Sequence, residues 1–332
     1  MMGTYKVALL GNRKLSVLVG EYLRRDPHVE MMVVLNPDDQ GVDEGGAVSL
    51  KKRAGDWACT VCQPENLRLP DQDAPIKAFQ PDIILSCSYA KIIPKSVIEL
   101  SNIASLNIHF SDLPRNRGCL PVVWTLAQRE PHLTATLHRL SPGIDDGDII
   151  MQERMPLSGA MTSQEATERC AELGFSVFRQ YWNALLSGRA PDGVPQEDAN
   201  ATYHKLRHPY DRHPPWPREA EEVAAVVNSL TFAPYPAARA RFVGECDLAG
   251  EWRILGPATL VDVDAAAGGR APGDLRRDAE GRLTIACGDG RCICVKGVYP
   301  YDESCDPDGL DSALAKNAAL VFSYEERPLY SP

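Results

Sequence analysis

Long apolar runs and basic charge are both scarce in this 332-residue chain. No stretch approaches the roughly 20 consecutive apolar residues of a membrane-spanning helix. The opening Met1-Met2-Gly3-Thr4-Tyr5-Lys6 lacks a signal-peptide layout, so a cytoplasmic location with no membrane partner is the expectation. Lys and Arg number 35 against 45 Asp and Glu, a formal charge of −10. A protein that grips nucleic acid usually carries a basic stripe; this balance argues against such a partner while permitting a local patch. Paired metal-ligand motifs are missing too. Cys59-Thr60-Val61-Cys62 has CxxC spacing, but no second pair follows it, and Trp57 and Val61 make it read as a short strand. No metal is expected. Most of the ten cysteines lie inside apolar runs such as Leu85-Ser86-Cys87, where a reduced thiol acts as a small hydrophobe.

What remains is an ordinary globular composition, 44% apolar and 24% charged, in a chain long enough for two cores. Lys6 to Asn12 reads as a strand ending in a Gly turn, Leu15 to Leu23 as an amphipathic helix, and Glu30 to Leu35 as a second strand. Pro81 to Cys87 reads as a third, with residues 83 to 85 all apolar, as in strands covered on both faces. Strands alternating with helices imply a parallel α/β sheet, whose binding loops lie at the carboxyl ends of strands. Thr162 to Ser187 is the longest helix signal, opened by a Thr162/Glu165 capping box and closed by Gly188. Ala166, Cys170, Leu173, Val177, Tyr181 and Leu185 recur along it at helical spacing and read as one core face. Composition turns to Gly, Pro, Asp and Gln after Gly188, which reads as a linker over 189–202 between a domain of residues 1–188 and one of 203–332. In the latter, a helix from Glu219 to Leu230 precedes short strands at 253–255, 259–261, 283–287 and 291–298, with a hairpin turn at Gly288-Asp289-Gly290. Many short strands with little helix point to a small barrel.

The chemistry concentrates in two segments, Ser105 to Pro114 and Gly143 to Asp148. Asn107 and His109 are two apart, so both side chains leave a strand on one face. Asp145 follows the apolar run Thr134 to Leu140 in a Gly-flanked loop, where a carboxylate can reach an imidazole. A carboxamide, an imidazole and a carboxylate suit acyl transfer: the first two stabilise an oxyanion, the last two move protons. Singly, Asn107 could be a strand-end cap, His109 a satisfied core histidine and Asp145 a turn former.

Together with Leu113-Pro114-Arg115-Asn116-Arg117-Gly118 and Thr136-Leu137-His138-Arg139-Leu140, these segments resemble the tetrahydrofolate-dependent formyltransferase family, in order and spacing over residues 80 to 155. The resemblance implies a Rossmann-like catalytic domain with a parallel sheet. It extends loosely through Tyr203-His204-Lys205 and Asn228 to Pro236 to an OB-like C-terminal barrel. It implies an N-formyltransferase whose cosubstrate is 10-formyltetrahydrofolate and whose catalytic set is Asn107, His109 and Asp145. By register Asp145, rather than Asp146 or Asp148, falls on the family's carboxylate. Ser88, Tyr89, Lys91, Ile92 and Ile93 would wrap the pterin, largely through backbone groups. Leu140, Ile144 and Asp145 would close its other side. Asp112, Arg115 and Arg117 would flank the acceptor.

Three acceptors fit the resemblance: a small amine, methionyl-tRNA, or water. The tRNA enzymes carry a basic loop where this chain reads Asn36-Pro37-Asp38-Asp39-Gln40-Gly41-Val42-Asp43-Glu44. A small-molecule amine, on a nucleotide amino sugar or an amino acid such as an ornithine derivative, is therefore the expectation. Arg207-His208-Pro209-Tyr210-Asp211 is similar to a stretch of the amino-sugar enzymes, from which Arg212-His213-Pro214-Pro215 departs. The second domain could position substrate, mediate a homodimer or stabilise the first.

Overall fold

The computed structural model describes residues 4–44, 47–232, 236–243, 248, 250–261, 269–301, 306–316 and 320–329. Pro234, Tyr235 and the start of the Ala- and Gly-rich stretch at 263–273 lie outside them. By internal contacts the chain divides into two units. The first holds residues 1–121, 132–155 and 167–205; the second holds 122–131, 156–166 and 206–332.

In the first unit, β1 (Tyr5–Gly11), β2 (Val29–Leu35), β3 (Thr60–Cys62), β4 (Ile83–Cys87) and β5 (Ala104–His109) run parallel. With β6 (His132–Arg139) and β7 (Ile149–Pro156) they form one sheet in the order β3-β2-β1-β4-β5-β6-β7. The antiparallel turn comes at β6, which pairs with β5. Period-two alternation places Val7, Leu9, Ile83 and Leu85 in one core and Ala8, Leu10 and Ile84 in another. Helix α1 (Arg13–Leu23) buries Leu15, Val19 and Leu23 in the first of these cores. Short helices α2 (Ala74–Phe79) and α3 (Lys95–Ile98) place Ile76 and Val97 in the second. Both sheet faces are covered, which explains the unbroken apolar strands.

The long helix α4 (Ser163–Leu186) starts on the expected box. The Thr162 N–H donates to Glu165 at 2.9 Å and the Glu165 N–H to Thr162 Oγ1 at 3.3 Å. It ends at Gly188, whose φ of +66 is left-handed, with the Arg189 N–H closing back on the Ala184 carbonyl at 2.8 Å. Ala166, Cys170, Val177 and Tyr181 are buried along it. Cys59 and Cys62 flank and end the edge strand β3, and burial raises both thiols, that of Cys62 to about 11.

The second unit has the expected helix at Ala220–Ser229 and two antiparallel sheets around Trp216, Trp252 and Phe322. The single strand expected over 291–298 is two. Cys292–Val295 pairs with Leu283–Ala286, whereas Gly297–Pro300 pairs with Trp252–Leu255. Lys296 is the crossing point, its N–H donating to the Leu255 carbonyl at 3.0 Å.

Candidate active site

Asn107 and His109 lie at the middle and end of β5, facing the same way, as their two-residue spacing requires. In register, Asn107 is opposite His138 and His109 opposite Thr136. Opposed residues of an antiparallel pair share a face. His138 therefore joins the site, a residue that spacing alone did not assign. The signal was present in Thr136-Leu137-His138, but reading it needs the β5/β6 register.

Asp145 sits in the loop after β6 at a left-handed φ of +53. Its Oδ2 accepts the Gly118 N–H at 2.8 Å and lies 3.6 Å from His109 Nδ1. Its Oδ1 lies 3.3 Å from the Asn107 amide nitrogen and 3.5 Å from His138 Nε2. Burial alone would raise this carboxyl pKa. The imidazole of His109, then that of His138, and the Gly118 N–H outweigh it and hold Asp145 well below the usual carboxylate range.

Both histidines have one nitrogen fixed by a backbone carbonyl. His109 Nε2 donates to Asn116 O at 2.8 Å, which leaves Nδ1 as the nitrogen facing Asp145. His138 Nδ1 donates to Arg139 O at 2.8 Å. Neutral His138 then offers a lone pair at Nε2 to the Asn107 amide, 3.0 Å away. Protonated, it would offer an N–H to Asp145 instead. The Asn107 nitrogen is thus engaged by His138 and Asp145, and presenting an N–H elsewhere means releasing one of them.

The residues expected around the cosubstrate fall on two loops. Ser88 follows β4 at a φ of +61, and Asn36 braces its loop, donating to Ser88 O at 3.2 Å and accepting from Ala90 N at 3.0 Å. Tyr89 Oη is buried without a hydrogen-bond partner among the described residues, and burial raises the phenol to about 12. Lys91 and Ile92 are exposed, while Ile93 and Leu140 pack on the core beneath. Ile144 is exposed beside Asp145.

On the expected acceptor side the side chains are already engaged. Asp112 accepts from Arg154 Nε at 3.0 Å and Nη2 at 2.5 Å. Arg117 donates to Gln196 Oε1 at 3.0 and 2.9 Å and to Asp198 at 3.0 Å. Arg115 is exposed. In the acidic loop, Asp43 binds Lys52 at 2.8 Å and Arg53 at 3.2 Å, and the Lys52 contact leads in lowering its carboxyl to about 2. Asp39 is buried, accepting from Ser49 Oγ at 2.6 Å and Lys51 N at 3.0 Å. These carboxylates brace their own loop.

Among the described residues no cluster of His, Cys, Asp and Glu could hold a metal ion, and no helix is long and apolar enough to cross a membrane.

The pattern of the Formyl transferase family matches residues 10–181. Methionyl-tRNA formyltransferase from Anaeromyxobacter dehalogenans (strain 2CP-C) is 30% identical over 88% of this chain and 91% of its own. The enzyme of that name from Deinococcus radiodurans is 28% identical, covering 91% and 90%. Among solved structures, the N-formyltransferase of Helicobacter canadensis, in complex with folinic acid and dTDP-3-aminofucose, superposes with a TM-score of 0.65 at 20% identity. It covers 90% of this chain and 100% of its own. HypX from Aquifex aeolicus has a TM-score of 0.63 at 15% identity over 98% of this chain and 53% of its own. A match spanning the strands, the loop and the helix that frame Asn107, His109 and Asp145 leaves one assignment: this chain belongs to the formyl transferase family and is an N-formyltransferase using 10-formyltetrahydrofolate.

Proposed function

We propose that this chain transfers the formyl group of 10-formyltetrahydrofolate to the primary amine of methionyl-tRNA, the acceptor named for the relatives that match it over nearly its whole length. One observation carries the chemistry: the Asp145 carboxylate lies between the His109 imidazole and the Asn107 carboxamide. In this reading Asn107 releases an N–H to the oxyanion that forms when the amine attacks, and His109, once Nδ1 has taken the amine proton, stabilises the same charge. Asp145, ionised far below neutral pH, is a poor base and serves as a fixed negative charge. That leaves His109 to carry the amine proton towards N10 of the departing folate. Ser88, Tyr89, Lys91, Ile92, Ile93, Leu140 and Ile144 would hold the cosubstrate. Arg115 and Arg117 would flank the acceptor, and Asp112 would have to give up Arg154 to join them. The antiparallel sheets of the second unit form, in this reading, an OB-like domain.

A small amine, the acceptor expected from the sequence, is the second reading. The net charge of −10 favours it, as do Lys52 and Arg53, which are already committed to Asp43 rather than free for phosphates.

Incubation with 10-formyltetrahydrofolate and a panel of methionyl-tRNA, nucleotide-linked amino sugars, ornithine and N-hydroxyornithine separates the readings. A formyl mass gain on methionyl-tRNA supports the first, and a gain on a small amine alone replaces it with the second. Formate release without any acceptor gain would make water the acceptor.

A further inference from the structure

Residues 192 to 204, mostly within the 189–202 stretch whose composition reads as a connection between domains, are bonded at every few residues to the segments around Asn116 and Asp145. The Asp192 carbonyl accepts from Arg139 Nε at 3.1 Å, and Val194 pairs with Ile149 through two bonds of 2.8 Å. Thr202 Oγ1 and O accept the N–H groups of Asn116 and Arg117 at 2.8 and 2.9 Å. His204 Nε2 donates to Asn116 Oδ1 at 2.8 Å, and its carbonyl accepts the Cys119 N–H at 2.8 Å. The segment therefore grips, on both sides, the loop whose Asn116 carbonyl fixes His109.

The Asp145 loop is gripped by one side chain. Gln196 Nε2 donates to the Asp145 carbonyl at 2.8 Å and to the Gly147 carbonyl at 2.7 Å, while its Oε1 is held by Arg117. Asp145 is left-handed, a backbone state that a residue with a side chain keeps only where its surroundings impose it. Both N–H donors of a single amide are spent on imposing it.

We propose that Gln196 is a positioning residue for formyl transfer: with Arg117 as its anchor, it sets the Asp145 loop so that the carboxylate stands between His109 and Asn107. The assignment rests on the catalytic reading of Asp145 above. Gln196 touches neither reactant in this role. It fixes where the charge sits, and misplacement of a reacting group by about 1 Å can cost roughly 100-fold in rate. The other bonds of the segment are independent of this side chain, so the loop can be loosened while the segment stays in place.

Gln196→Glu is the sharpest variant, because it keeps the shape and an oxygen for Arg117 but turns oxygen towards two carbonyls. Gln196→Ala is its companion should the charge disturb folding. With the full chain, kcat is expected to fall roughly 30- to 100-fold while the acceptor KM moves less than about threefold. The Asp145 carboxyl, followed by ¹³C NMR on aspartate-labelled protein, should titrate nearer the ordinary carboxylate range. An unmoved Asp145 titration with kcat within about twofold of wild type overturns the proposal, whatever happens to Tm, as does a KM rise that accounts for the rate loss. If wild-type protein transfers no formyl group to any acceptor, the functional reading fails by itself. The Asp145 titration still decides whether Gln196 positions that loop.

Discussion

The carbonyl of Asn116 accepts the Nε2–H of His109 at 2.8 Å, so the imidazole meets Asp145 only through Nδ1, 3.6 Å away. The backbone rather than the carboxylate selects the tautomer, and in the proposed mechanism Nδ1 is the nitrogen that carries the transferred proton. His109→Ala should therefore lower kcat by about 100- to 10,000-fold, the usual range for losing a positioned acid–base group. Affinity for 5-formyltetrahydrofolate, measured by calorimetry, should stay within a few-fold, because the expected folate loops do not depend on the ring. Retained turnover would remove His109 from the mechanism.

Asp145 should not titrate anywhere in the working pH range. Its folded pKa is depressed, so its contribution to stability is complete above the unfolded value and is lost as pH falls through the lower folded one. Stability measured by urea unfolding should therefore drop steeply below about pH 4, and less so in Asp145→Asn. The acid limb of the kcat profile in wild type should belong to another group. An Asp145→Asn enzyme whose acid limb vanished while its neutral kcat survived would contradict this.

His204 predicts a separate pH effect. Burial holds its imidazole down at about 4 from an ordinary 6.5, and its Nε2–H is committed to Asn116 Oδ1. The unfolded chain binds this proton more readily, so stability is full above about pH 6.5 and declines as pH falls towards 4. His204→Gln, which keeps a donor but cannot titrate, should flatten the unfolding free energy over that window. A slope unchanged between the two proteins would assign it elsewhere.

The strands, the long helix and its caps were legible because they rest on local rules: apolar period, a capping box and a left-handed Gly. The gathering of Asn107, His109 and Asp145 was legible only through motif order, since nothing local brings residue 145 to residue 107. His138 was hidden because its place depends on which residue of β6 faces Asn107, and a pairing register is not written in either strand alone. Gln196 was hidden for a related reason. A Gly-, Pro- and Gln-rich stretch announces irregular backbone, yet says nothing of where its hydrogen bonds go. Lys296 shows the same limit in the second unit, where one apolar run serves two sheets.

His138→Ala should lower kcat by roughly 10- to 100-fold with little change in either KM, because the Asn107 amide loses the partner that orients it while the binding loops remain. His138→Gln can present an oxygen to that amide and should recover part of the loss. Equal defects in the two variants would mean that the imidazole acts on Asp145 by charge rather than on Asn107 by hydrogen bonding.

Gly118 is a tight point of the site. Its φ is +92, and a Cβ there would lie 2.4 Å from the His204 carbonyl and 3.0 Å from the Tyr203 ring. The same residue's N–H is the one that Asp145 Oδ2 accepts at 2.8 Å. Gly118→Ala must therefore strain the backbone, push the 203–204 strand away, or both, at a cost of about 1–3 kcal/mol. Moving the N–H also removes a donor from the carboxylate, so kcat should fall further than the loss of Tm alone explains at a temperature where the variant is fully folded. Urea unfolding and a kcat measured well below the variant's Tm separate the two. A destabilised variant with wild-type kcat would show that the Gly118 N–H braces the loop without tuning Asp145.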